Sequence, residues 1–140
     1  MMKLNGSVAL LQVFDMPTAL AFYRDRLGFE IVSASPEIEV AEGRYSHWMW
    51  LRRDAAELML NTAYEADERP PVRDEARWHG HGDLCLYIAC DDTEALGREL
   101  VAAGLDCQPP RDTPYGMRQL HVTDPDLYHL CFQQPAVGAG

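Results

Sequence analysis

The sequence predicts an α+β chain made of two strand–helix–strand–strand–strand (βαβββ) modules. Two observations carry this. One pattern occurs twice: Val8–Phe29 reads VALLQVFDMPTALAFYRDRLGF and Leu84–Leu105 reads LCLYIACDDTEALGRELVAAGL. Each copy is an apolar run, an Asp, a helical stretch with Ala-Leu near its start, then Gly and an apolar residue. A repeat of this size means two copies of one supersecondary unit, which bury their apolar faces by packing together. Copies that face each other usually enclose a cleft. The second observation is that strand-like alternation follows each helical stretch.

In the first module, Ser7–Phe14 reads as a buried strand. Asp15 is a good helix N-cap, and Pro17 fits the first turn, where a missing N–H costs nothing. The helix should run to about Leu27 with Ala19, Tyr23 and Leu27 on one face, and Gly28 should stop it as a left-handed cap. Phe29–Ala34 follows as a short strand broken by Ser35, Pro36 and Glu37. Two more strands, Arg44–Arg52 and Glu57–Thr62, are joined by a turn at Arg53-Asp54-Ala55-Ala56.

Ala63–His81 shows no periodicity and carries Pro70-Pro71; it reads as a linker, with Trp78 expected to pack on something and His79 and His81 expected in solvent. The second module then repeats the plan. Asp83–Cys90 is a strand, and Asp92 caps a helix with Leu96, Leu100 and Ala103 on one face. Gly104 ends that helix, and Leu105–Gln108 is a short strand closed by Pro109-Pro110. Arg118–Thr123 and His129–Gln134 flank a turn at Asp124-Pro125-Asp126. The expected organisation is one structural domain with modules at 1–66 and 83–136 and a linker at 67–82.

Composition narrows the function. At 140 residues, with 47% apolar and 24% charged residues, the chain reads as a soluble globular protein. It has no apolar run long enough to span a membrane and no secretory signal pattern at its start, so a cytoplasmic location is expected. A net charge of −10 without a basic stripe argues against nucleic acid and anionic membranes as partners. Cys85, Cys90, Cys107 and Cys131 form no Cys-x-x-Cys pair, which argues against a zinc ribbon or thioredoxin-type site.

Alternation assigns side chains to strand faces. Leu58, Leu60, Leu84, Leu86, Ile88, Leu120, Val122, Leu130 and Phe132 should meet the helices. The opposite face then collects Val8, Leu10, Gln12, Glu57, Met59 and Asn61 from the first module. From the second it collects Cys85, Tyr87, Ala89, Gln119, His121, Thr123, His129, Cys131 and Gln133. Polar groups mixed with Met, Tyr and Leu suit a wall that takes an amphipathic ligand. Trp48 and Trp50 share one strand face and read either as core or as aromatic walls of the cleft, with core favoured. The candidate ligand-binding residues are Gln12, Trp48, Trp50, Met59, Asn61, Cys85, Tyr87, Gln119, His121, His129 and Cys131. Glu57 is either a general base on a fairly apolar wall, a partner for a cationic ligand, or a solvent-facing strand residue. His121 is either its catalytic partner or a structural histidine.

The string Asp15…Phe22-Tyr23…Leu27-Gly28-Phe29, and Tyr115-Gly116 followed by Asp124-Pro125, resemble the vicinal oxygen chelate superfamily. It contains glyoxalases, extradiol dioxygenases, and fosfomycin- and bleomycin-resistance proteins. The resemblance runs from about Lys3 to Gln134 and is nearest in character to the bleomycin-resistance members. It implies the glyoxalase/bleomycin-resistance/dioxygenase fold, with curved mixed sheets around a cavity, and a homodimer. Leu127 departs from the pattern where a Gly is usual, which predicts a reshaped turn.

The resemblance also implies where a divalent metal would be held. Counting seven residues from Asp15, Asp92 and Asp124 gives Val8, Cys85 and Cys131, and the fourth-strand Glu matches Glu57 in Ala56-Glu57-Leu58. This set lacks the imidazoles of the usual open catalytic site. No cofactor is therefore expected, an atypical divalent-metal site on Glu57, Cys85 and Cys131 being the remaining alternative. Two functions follow. One is a metal-independent binding protein that sequesters an amphipathic or cationic small molecule in a dimer cleft. The other is a superfamily enzyme (lyase, isomerase or dioxygenase) using an atypical metal or Glu57 as base with His121 or His129.

Overall fold

A computed structural model describes residues 1–136 of the chain. It is α+β, and its residues group into two compact units: Met1–Arg24 with Gly28–Pro71, and Asp25–Leu27 with the chain from Val72. Among the described residues no helix is long and apolar enough to cross a membrane.

In the first unit, β1 (Ala9–Val13) leads into α1 (Met16–Leu20). Asp15 caps α1 by accepting from Thr18 N at 2.8 Å, as its short carboxylate before a Pro-containing turn predicts. The helix does not stay α-helical to its end: Ala21–Arg26 widens into a π-helical stretch. Phe22 and Tyr23 are buried there as an edge-to-face pair at 4.9 Å. Gly28 closes the segment at φ 76, a left-handed conformation that a Cβ would strain. β2 (Glu30–Ala34), β5 (Trp48–Arg53) and β6 (Ala56–Thr62) complete a mixed four-stranded sheet of order β1-β6-β5-β2. β1 runs parallel to β6, and the other neighbours are antiparallel.

The single strand expected over Arg44–Arg52 is two. β3 (Glu37–Val40) and β4 (Gly43–Ser46) form their own hairpin, and β5 starts only at Trp48. Ile38 and Val40 supply the only apolar alternation in β3, too short a signal after Pro36 to read as a strand.

The second unit repeats the topology as β7 (Cys85–Ala89), α3 (Thr93–Ala102), β8 (Arg111–Asp112), β9 (Met117–Thr123) and β10 (His129–Pro135), in sheet order β7-β10-β9-β8. Asp92 caps α3 through Ala95 N at 3.0 Å, and Leu96 and Leu100 face the core. The short strand lies after Pro109-Pro110, not at Leu105–Gln108 before them. Proline without an N–H cannot sit inside a ladder, so pairing begins past the second one.

Three further expectations are corrected here. The stretch before β7 is partly helical, with α2 (Glu75–Gly80) capped by Asp74 and followed by a 3₁₀ turn over His81–Asp83. Six residues are too few to show a helical period. Trp78 is 0% exposed and donates from Nε1 to Asp126 Oδ1 at 2.8 Å. His81 is not in solvent: Nδ1–H donates to Asp126 O at 2.7 Å, and the ring stacks on Tyr128 at 4.1 Å. The 124–128 turn is not reshaped by Leu127, which adopts φ 70 itself. Asp124 holds the turn, its Oδ1 accepting from Asp126 N at 2.9 Å and Tyr128 N at 2.8 Å. Those bonds outweigh a left-handed penalty of about 1–2 kcal/mol.

The core side of each sheet follows the alternation. Leu11, Val13, Met49, Leu51, Leu58 and Leu60 are buried in the first unit, and Leu120, Val122, Leu130 and Phe132 in the second. β7 is the exception. It buries Leu86 and Ile88 only partly, and Leu84 just before it is exposed.

Candidate functional site

The opposite faces of the two sheets carry the candidate residues, and strand register fixes their rows. In the first unit, Gln12, Asn61 and Trp48 are ladder partners, and so are Leu10, Met59 and Trp50. Asn61 Nδ2 donates to Gln12 Oε1 at 3.4 Å, tying the first row together. Trp48 and Trp50 are half-buried on this face while Met49 and Leu51 fill the core, so the tryptophans lie on the outer face and not in the core. The Trp50 Nε1 donor is buried and meets no acceptor among the described residues.

Glu57 sits one row further along, opposite Arg52. Arg52 Nε donates to Glu57 Oε1 at 2.8 Å, and Nη2 lies equally close to the same oxygen. One oxygen of the Glu57 carboxylate is thus engaged by a guanidinium.

In the second unit, Cys85, His129 and Thr123 form one row, Tyr87, Cys131 and His121 the next, and Ala89, Gln133 and Gln119 the third. Gln119 is 5% exposed and organises the centre. Its Nε2 donates to Gln133 Oε1 at 3.0 Å and to the Tyr115 hydroxyl at 3.2 Å, and its Oε1 accepts from His121 Nε2–H at 3.1 Å. His129 Nδ1 pairs with Thr123 Oγ1 at 3.1 Å. Tyr87 is 59% exposed, beside the thiols. Burial, with lesser contributions from Cys85 and Cys90, pushes the Cys131 thiol up to about 11. Burial also raises Cys85. At neutral pH both are therefore thiols, hydrogen-bonding weakly and not reactive as nucleophiles.

Next to Gln119 and His121 lies an open depression of about 390 Å³, walled also by Gln108, Pro109, Arg111, Asp112 and Thr113. Sequence reasoning missed Arg111 and Tyr115. Arg111 pairs with Gln119 on β9, and the two prolines before it were the available signal that a strand begins there.

The ladders also align the two modules. Leu10 and Met59 are partners as Tyr87 and Cys131 are, each first-strand residue lying five before its helix-capping Asp. The internal counterpart of Cys131 is thus Met59, and that of Glu57 is His129. The set Val8, Glu57, Cys85 and Cys131 contains a carboxylate bonded to Arg52 and two thiols but no imidazole. Counting by internal counterparts instead brings in the Met59 thioether and the His129 imidazole. Among the described residues no group of three or more His, Cys, Asp and Glu is arranged to hold a metal ion.

The sequence profile of the Glyoxalase/Bleomycin resistance protein/Dioxygenase superfamily matches residues 6–132. Among solved structures, TnmS3, an antibiotic binding protein from Streptomyces sp. CB03234, is 26% identical with a TM-score of 0.64, covering 96% of this chain and 100% of that one. A glyoxalase/bleomycin resistance protein from the same Streptomyces sp. CB03234 is 28% identical with a TM-score of 0.60, covering 91% and 100%. The bleomycin-binding protein of Streptomyces verticillus, solved with copper(II)-bleomycin, shares the fold at 22% identity and a TM-score of 0.66, covering 94% and 97%. No match was found among curated proteins.

Proposed function

The chain belongs to the glyoxalase/bleomycin resistance protein/dioxygenase superfamily, and from that premise we propose that it is a binding protein that sequesters an amphipathic or cationic small molecule of the antibiotic class, without catalysis. The observation that carries this is the makeup of the second sheet's outer face. Soft and polar groups (Tyr87, Cys131, His121, Gln119, Gln133) share adjacent rows and are cross-bonded to each other. Such a surface recognises shape and hydrogen bonds but offers no ionised nucleophile. Trp48 and Trp50 supply flat apolar walls suited to a planar or cationic group.

The binding unit is a homodimer in the cytoplasm. The first strand of each unit, β1 or β7, is an edge of its sheet and presents an exposed large side chain, Leu10 at 48% and Tyr87 at 59%. An unprotected edge of this kind invites pairing with another chain. Cross-chain pairing of these edges gives each cleft walls from both copies. Gln12, Met59, Asn61, Cys85 and His129 complete the lining.

Two measurements test the reading. Titration with metal-free bleomycin and other cationic glycopeptides, followed by calorimetry and by Trp48 and Trp50 fluorescence, should give saturable binding without turnover. Sedimentation should give a dimer. Stoichiometric Fe, Mn, Ni or Zn in purified protein, lost on Glu57→Gln or Cys131→Ala, would replace this reading by the enzyme alternative.

A further inference from the structure

A second pocket lies wholly within the first unit, beneath the β3–β4 hairpin. Phe14, Met16, Ile38, Val40, Tyr64 and Arg69 are among its walls. As it stands the space is pinched to little more than one water molecule. The hairpin forms a sheet of its own, bonded to neither four-stranded sheet. Its base is anchored where Ser46 Oγ donates to Ser35 O at 2.6 Å and Trp48 N donates to Ser35 Oγ at 3.1 Å.

The tip is latched. Glu42 offers both carboxylate oxygens to the Arg69 fork, with Nη1 to Oε1 at 2.9 Å and Nη2 to Oε2 at 2.5 Å. That hydrogen bonding holds the Glu42 carboxyl below its ordinary range. Arg69 does not depend on the latch for its place: its guanidinium lies over the Phe14 ring at 5.1 Å, and Phe14 is itself braced edge-on by Tyr64 at 6.5 Å. The neighbouring carboxylates have other work. Asp15 caps α1 through Thr18 N, and Glu65 lies 3.9 Å from His47 Nε2. A guanidinium fork already matched to two carboxylate oxygens accepts another carboxylate in the same geometry.

We infer that Glu42 is an internal stand-in for a ligand, and that this pocket binds small monocarboxylates with a short apolar or aromatic tail when the hairpin lifts from its anchored base. The exchange is one carboxylate for another, so the pocket's charge does not change. The tail gains contact with Phe14, Met16 and the underside of Ile38 and Val40. The site is separate from the outer sheet faces and does not depend on what those faces bind.

Benzoate is the probe and benzamide, the same shape without the charge, is the control. Binding to the full chain is followed by calorimetry and by NMR shifts of the Phe14 and Tyr64 rings. Wild type should bind benzoate weakly, Glu42→Ala at least about tenfold more tightly because the competing latch is gone, and neither should bind benzamide measurably. Arg69→Gln, checked for fold by circular dichroism, should not bind. Unchanged benzoate affinity in Glu42→Ala, comparable benzamide binding, or binding retained in folded Arg69→Gln overturns the inference. If Arg69→Gln does not fold, the Glu42→Ala comparison decides alone. A shift confined to Trp48 and Trp50 also counts against it.

Discussion

Replacing Trp50 by Phe separates stability from binding at the outer face of the first sheet. The indole Nε1–H is buried and meets no acceptor among the described residues. A buried, unpaired donor costs about 1–3 kcal/mol. Phenylalanine removes that donor but also gives up part of the ring's contact with Met59, its ladder partner. At a half-buried position that contact is worth about 1 kcal/mol. The difference leaves Trp50→Phe between neutral and about 2 kcal/mol more stable. In a chain of this length that corresponds to a Tm unchanged or raised by several degrees. Trp48→Phe, on the same strand face, is the internal control and should lose stability. Because the N–H is buried and Phe keeps an aromatic face, Trp50→Phe should leave metal-free bleomycin affinity within about twofold. Urea denaturation read by circular dichroism gives the stability, and calorimetry gives the affinity. A loss of more than about 1 kcal/mol in Trp50→Phe would mean that the indole N–H is bonded after all, and the reasoning would fail.

Other substitutions test the rest of the fold and face. Trp78→Phe removes the donor to Asp126 inside a fully buried site and should cost about 2–4 kcal/mol, whereas Asp126→Asn keeps an acceptor and should cost under about 1 kcal/mol; equal losses would refute the assigned bond. Gly28→Ala places a Cβ at φ 76 and should cost about 1–2 kcal/mol by thermal melting, with no cost meaning that the turn relaxes. The Cys131 thiol, raised to about 11, adds stability that is present in full below the unfolded value near 9 and is lost as pH rises through 11. Its size is at most about 2–3 kcal/mol, so Cys131→Ala should flatten the alkaline arm of the stability–pH curve. In native protein at pH 8, iodoacetamide should label exposed Cys85 before buried Cys131, and the reverse order would contradict the assigned environments.

Local chemistry was legible in the chain. The two helix starts were written by Asp15 and Asp92, because a carboxylate one residue before a helix satisfies a free backbone N–H whatever surrounds it. The left-handed stop at Gly28 was equally local, and the strand faces followed from period-two alternation, which also assembled the outer rows around Met59, Asn61, His121 and Gln133. Three things required tertiary structure. Trp48 and Trp50 carry the same apolar signal as core residues, and only the packing of Met49 and Leu51 on the other face places them outside the core. Leu127 reads as a misfit for its turn, yet Asp124's two backbone hydrogen bonds hold it at positive φ. The latch between Glu42 and Arg69 joins residues 27 apart in sequence, and Arg52 reaches Glu57 across a hairpin. Propensity acts over a few residues, whereas partner choice among charged side chains depends on which surfaces the fold brings within hydrogen-bonding distance. That is why the sequence determined the elements and their faces, and the tertiary structure decided which carboxylates, indoles and thiols remain available for chemistry.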